Sequence, residues 1–120
     1  MKLYEVVLNN NLDEVKRILL SECDVNEQEK ETGFTALHYC AQNQLVDMAK
    51  LIIGAGADID VQDVYGNTPL FKAVFFCKGK TEMIKLLLEA GANPDIKNSS
   101  GISPKELAEN IGSFDVTNCF

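Results

Sequence analysis

YGNTPLFKAV, residues Tyr65–Val74, brings together a turn glycine, a hydroxyl residue, a proline and an apolar run. Gly66 suits a turn that needs positive φ, where a Cβ is strained. Thr68 is a candidate N-cap, because its hydroxyl can accept from a free backbone N–H, and Pro69 is preset for the first helical position. The stretch therefore predicts a tight turn feeding a short helix. The same phrase stands twice more, as TGFTALHYCA from Thr32 and SGISPKELAE from Ser100. Gly33, Gly66 and Gly101 are 33 and 35 residues apart, and Thr35, Thr68 and Ser103 keep the same steps.

Two further phrases recur in the same order. DEVKRILL from Asp13, DMAKLII from Asp47 and EMIKLLL from Glu82 open a second helix. In each, an acidic residue sits near the positive helix end and a lysine follows one turn on. DVN at Asp24–Asn26, GADID at Gly56–Asp60 and GANPD at Gly91–Asp95 come next, with Gly56 and Gly91 placed to end that helix. The segments that remain, such as DVQDVYG, suit an extended loop or hairpin. Around Asp47 the second helix is apolar nearly all round (Leu45, Val46, Met48, Ala49, Leu51, Ile52, Ile53), which demands neighbours on both sides.

Helix, turn, helix and projecting loop, at a period near 33 with T-P-L opening the first helix, resembles the ankyrin-repeat family. YGNTPLFKAV and GADIDVQD carry the likeness best, and it extends over nearly the whole chain. The resemblance implies an all-α ankyrin-repeat solenoid, with about three full units plus a truncated C-terminal capping unit. The single domain, 1–120, then divides into an N-terminal capping unit (1–31), unit two (32–64), unit three (65–99) and a C-terminal capping unit (100–120). Unit one lacks the Gly-x-Thr-Pro turn; Leu3, Val6 and Val7 supply its apolar face, and Asn9–Asn11 break the chain before its second helix. Unit four points Leu107, Ala108 and Ile111 inward, carries Lys105 in place of the usual leucine, and is followed by GSFDVTNCF with no apolar second helix. It reads as a cap, which makes the chain a complete small protein in this reading.

Two spacings break the period. The first loop, EQEKET, holds one extra residue and three glutamates, Glu27, Glu29 and Glu31. In unit three, FFCKGK (Phe75–Lys80) inserts two residues between the helices. Consecutive helical residues point about 100° apart, so both phenylalanines cannot enter one seam. Phe76 is expected to close over the lengthened loop, and Phe75 to face the concave side.

Composition narrows the function classes. The formal net charge of −7 argues against nucleic acid and anionic membranes as partners, and favours neutral or basic protein surfaces. No apolar run approaches the roughly 18 residues of a membrane span, and no signal peptide is evident, so a cytoplasmic monomer is expected. Cys23, Cys40, Cys77 and Cys119 form no CxxC pair and read as reduced thiols, with only His38 to help ligate a metal. No metal and no cofactor is expected. A lone histidine lacks the orienting partner of a nucleophilic system. In the ankyrin resemblance His38 is structural, its ring hydrogen-bonding near the base of the loops. Asp58, Asp60, Asp63 and Asp95 recur as repeat punctuation and read as turn and capping groups. GAGAD lacks the lysine and strand context of a phosphate loop. No catalytic residue is assigned.

Binding is the reading that remains. Ankyrin-family binders use loop tips and the exposed face of the first helices. Mapped here, those positions are Phe34, Tyr39, Gln42 and Asn43 in unit two, and Val64, Tyr65, Asn67, Lys72, Phe75 and Phe76 in unit three; the loop of unit four adds Ser99, Ser100 and Ile102. Phe34, Tyr39, Tyr65 and one of the two phenylalanines are expected to form an aromatic stripe. Compact acidic ankyrin proteins also resemble the immunity proteins that bacteria encode beside toxins, which points to an inhibitor of a basic toxin. A structural or oligomerising scaffold is the alternative, and a thiol- or carboxylate-dependent enzyme a minor one.

Overall fold

Thr35, Thr68 and Ser103 open three helices in the same way in the computed structural model, which describes residues 2–120. Each stands in extended backbone and its side-chain oxygen accepts from the N–H three residues on, at 3.3, 3.3 and 3.1 Å. Pro69 and Pro104 occupy the first helical positions, as the sequence predicts. Along the chain the helices are α1 (Leu3–Val6, continued by a 3₁₀ turn at Val7–Asn9), α2 (Leu12–Leu20), α3 (Ala36–Gln42), α4 (Val46–Gly54), α5 (Pro69–Phe75), α6 (Glu82–Glu89), α7 (Pro104–Ile111) and α8 (Phe114–Thr117). Among the described residues there is no strand.

The helices form two rows. α1, α3, α5 and α7 pack side by side in an inner row, and α2, α4 and α6 in an outer row behind them. The result is an elongated stack of 41 × 25 × 21 Å. Its core runs the length of the stack between the rows, through Val6, Leu37, Met48, Ile52, Leu70, Met83 and Leu87, all fully buried. α4 is enclosed by α2 and α6, as its apolar sequence requires; Met48, Ala49 and Ile52 are wholly buried, while Leu51 and Ile53 stay half-buried. At the N-terminal end Leu3, Val6 and Val7 are buried, Asn10 turns the chain at φ 52°, and Asn11 caps α2 by accepting from Glu14 N–H.

Successive turns of the stack touch backbone to backbone. Gly33 and Gly66 sit at φ 71° and 79°, and a Cβ there would lie 2.9 Å from Val64 N and 2.8 Å from Ser99 N. That closeness lets Val64 N–H reach Thr32 O at 3.0 Å and Ser99 N–H reach Tyr65 O at 2.9 Å, the same bond one unit on. Gln28 and Gln62 repeat the device with side chains, donating to Gln62 O at 3.2 Å and Lys97 O at 3.4 Å.

His38 adds a bridge through the core. Its Nε2 donates to Asn67 O at 2.8 Å and its Nδ1 accepts from Thr35 N–H at 3.1 Å, which fixes one neutral tautomer. Burial lowers its pKa from the ordinary 6.5, and the bond to Asn67 opposes this only in part.

The chain departs from expectation at its C-terminal end, where Ile111, expected to point inward, is 45% exposed at the last position of α7. No apolar second helix is expected after α7, and the segment there forms only the single turn α8, Phe114–Thr117. Val116 explains it: this side chain is fully buried, α8 packs on α7, and the Thr117 hydroxyl ties back to Ser113 O at 3.0 Å.

Two measurements check the roles of the turn glycines and the core histidine. Gly66→Ala should lose stability from φ strain, on the order of 1–3 kcal/mol, with a further loss from the 2.8 Å clash. Gly101 has φ 78°, but a Cβ added there would meet no atom within 4 Å. Gly101→Ala should therefore lose only the strain, and urea unfolding of both variants compares the two. For His38, the unfolded chain takes up a proton near pH 6.5 that the buried ring refuses. Its contribution is therefore complete above pH 6.5 and lost as pH falls through the lower folded value. The urea midpoint should drop between about pH 7.5 and about pH 5.5 in the parent chain, and the drop should flatten in His38→Gln.

Candidate functional site

The exposed apolar side chains of the middle of the stack gather on unit three. Val64, Tyr65 and Phe75 are 54%, 61% and 60% exposed, the first two at a loop tip and the third at the end of α5. Val64 and Tyr65 are held there by backbone, since Tyr65 N–H donates to Asp63 Oδ1 at 2.9 Å and both residues join the inter-unit bonds. Phe76 ends α5 and is half-buried, its ring edge-on to Phe75 at 4.9 Å, so the pair divides between contact and packing as the helical angle requires. Beyond it Lys78 and Gly79 both take left-handed backbone, and Lys80 N–H closes the turn on Cys77 O at 2.8 Å.

Lys72 is the main departure from the expected surface. Placed by sequence among the contact residues, it is buried. Its Nζ stands 4.1 Å over the Phe34 ring, 5.8 Å from the Phe76 ring and 3.9 Å from Asp63 Oδ2. Two aromatic faces and a carboxylate draw the ammonium inward and leave the stem to cover apolar surface. Burial pushes its pKa below the ordinary 10.5, and Asp63 restores part of that. Asp63 Oδ1 is taken by Tyr65 N–H and Asn67 N–H. Oδ2 is buried with no hydrogen bond among the described residues, so Lys72 is what balances it.

Phe34 is half-buried between units, stacked on His38 at 5.7 Å and edge-on to Tyr39 at 5.3 Å. Tyr39 is half-buried, and its hydroxyl donates to the Glu29 carboxylate at 3.1 Å; burial first, then Glu29, raises its pKa. Gln42 is half-buried and Asn43 exposed, the latter bonding Tyr39 O at 2.9 Å at the end of α3. Asn67 serves the scaffold: its carbonyl accepts from His38 and its Oδ1 from Asn98 Nδ2 at 2.9 Å. The stripe is therefore continuous from Tyr39 through Phe34 and Lys72 to Phe76 and Phe75, with Tyr65 apart at the loop tip.

Two residues outside the mapped surface belong with it. Phe71 lines a pocket of about 200 Å³ together with Asn67, Lys72, Phe75 and Phe76. Its signal lies in the register, since Phe71 occupies the slot of His38 and replaces a hydrogen-bonding ring by a hydrocarbon one. Asp63 is the second. The phrases align Glu29, Asp63 and Asn98 in the loops with Tyr39, Lys72 and Leu107 on the helices, so that each loop acid faces a helix side chain able to donate to it or balance it.

The pattern described as "Ankyrin repeats (3 copies)" matches residues 3–98, and the chain belongs to the ankyrin-repeat family. It is 36% identical over 67 residues to protein phosphatase 1 regulatory subunit 27 of Mus musculus, covering 56% of this chain and 43% of that protein. It is 36% identical over 69 residues to the nuclear factor NF-kappa-B p105 subunit of Gallus gallus, covering 57% and 7% respectively. To the neurogenic locus Notch protein of Drosophila melanogaster it is 37% identical over 71 residues, covering 56% and 3%. The chain thus spans less than half the length of these relatives. Ankyrin repeats mediate protein–protein interaction and are in general non-enzymatic. Among the described residues no helix is long and apolar enough to cross a membrane.

The Asp63–Lys72 pair can be tested directly. Lys72→Met should cost about 2 kcal/mol or more, because it leaves a buried carboxylate unbalanced. Adding Asp63→Asn should recover part of that loss, as a double-mutant cycle in urea would read.

Proposed function

We propose that this chain is a non-enzymatic binding domain that grips a protein partner with its concave inner helix row and loop tips, centred on unit three. The observation that carries this is the exposure of Val64, Tyr65 and Phe75 at 54%, 61% and 60%, beside a continuous run of aromatic contacts. Aromatic side chains held on a rigid support are the residues that most often dominate an interface. The partner is a neutral or basic protein, because a net charge of −7 steers basic surfaces in and keeps nucleic acid and anionic membranes away. Four free cysteines, one of them exposed, suit the reducing cytoplasm.

Within that reading the chain works as a monomeric inhibitor. Its acidity favours an immunity-type role against a basic toxin. One relative bears the name of a regulatory subunit, which agrees with control of a partner by occupation. A second reading, an oligomerising scaffold, draws on Leu20, Ile111 and Phe114 in the two end units, which are 90%, 45% and 77% exposed. Light scattering after size exclusion separates the two readings.

The Tyr65→Ala, Phe75→Ala double variant should keep the parent circular dichroism and lose about a hundredfold or more in affinity for a partner captured by the parent chain. Full affinity in the double variant would reject this surface. Binding should also weaken between low and moderate salt, through a slower association rate.

A further inference from the structure

Phe71 and Phe75, and Lys72 and Phe76, are two pairs one helical turn apart, so their side chains share neighbouring strips of α5. With Asn67 they line an open depression of about 200 Å³. Small-molecule sites occupy roughly 300–1,000 Å³. This depression falls below that range and is the size for one side chain. We infer that it is a subsite for a single apolar side chain, aliphatic or aromatic, presented by a basic protein segment; the inference rests on the protein-binding reading above.

Charge decides the class of occupant. Lys72 puts an ammonium into the wall, which at first suggests a partner carboxylate. That ammonium is already committed, 3.9 Å from Asp63 Oδ2 and 4.1 Å over Phe34, and Asp63 Oδ2 has no hydrogen bond to fall back on. Drawing Lys72 toward an acidic guest would strand a buried carboxylate, the costly way to break a buried pair. An apolar guest leaves the pair intact and covers Phe75, which is 60% exposed.

The surroundings set the flanks. On α7, next in the inner row, exposed Glu106 is balanced by Lys97 at 3.9 Å, and Glu109 lines another groove with Lys105 and Phe120. The call for a basic guest therefore comes from the whole chain, at −7. Phe76 shares a groove with Lys78 and Lys80 of the inserted turn, so the basic residues of the guest segment belong away from that turn.

A display library of random twelve-residue peptides, panned on the parent chain, tests this. The expected result is a set of peptides sharing one apolar position beside Lys or Arg. Their affinity by fluorescence anisotropy should fall about tenfold or more in Phe75→Ser. Phe75 is exposed, so that variant should melt like the parent; replacing the shared apolar residue of the peptide by Asp should cause a similar loss. Peptides that share an acidic residue instead, or that bind Phe75→Ser as well as the parent, overturn the subsite. If those same peptides lose affinity in Tyr65→Ser, the protein-binding reading survives and only the pocket falls. A library that yields no binder to the parent chain overturns the subsite too, and the Tyr65, Phe75 double variant then judges the wider reading by itself.

Discussion

Successive turns of this chain meet through backbone, and the approach is possible only where a side chain is missing. At Gly33 and Gly66 a methyl group would stand within 3 Å of the next turn's amide nitrogen. Moving the units apart to admit it would break the bonds from Val64 N–H to Thr32 O and from Ser99 N–H to Tyr65 O. The helices would move with the loops, because Thr35 and Thr68 start their helices two residues after those glycines. A stack has no core within one unit; its buried residues lie between rows and between neighbours. Spacing set at the turns therefore governs how well Leu37, Met48, Leu70 and Met83 close on each other.

Inside that spacing the seams differ in chemistry. Between units two and three, His38 reaches across to Asn67 O and Lys72 reaches back over Phe34. Between units three and four the slot of His38 holds Phe71 and the slot of Lys72 holds Leu107. The first seam buries a polar bridge and an ion pair; the second fills those slots with hydrocarbon and keeps its polar links outside, from Lys97 to Glu106 at 3.9 Å and from Lys105 N–H to Pro94 O at 3.1 Å. Loop residues follow suit: Glu29 meets a tyrosine hydroxyl and Asp63 an ammonium, while Asn98, in register with Leu107, has its own Oδ1 satisfied by Ser100 N–H and Ile102 N–H. Matching a loop acid to a helix donor avoids a stranded charge at each step.

Much of this is legible in the amino-acid order alone. The period, the three caps, the turn glycines and the division of labour between Phe75 and Phe76 are local properties, decided by backbone conformation or by helical angle. The burial of Lys72 escapes a sequence reading because it is not local. An exposed lysine is the default for α5's outer positions, and only the convergence of Phe34, Phe76 and Asp63 from three places in the fold reverses it. Asn67 escapes for the same reason, since its polar atoms are spent on His38 of unit two and on Asn98, 31 residues further along. α8 leaves no periodicity to read, because it is a single turn; one valine, Val116, makes it form by packing.

The inserted turn explains why the apolar exposure falls on unit three. Where unit two ends α3 with Gln42 and Asn43, unit three has Phe75 and Phe76 and then a reversal through Lys78 and Gly79. A longer connection leaves Phe76 something to cover, and Cys77 is buried beneath it at 3% exposure. Phe75, on the next position of the helix, then has no seam to enter. Its exposure follows from the geometry of its neighbour's burial rather than from weak packing: Ala73 and Val74 just before it are fully buried. An exposed aromatic on an end unit would share that unit's tendency to open. This one sits on a helix enclosed by α3 on one side and α7 on the other, which holds its backbone in place.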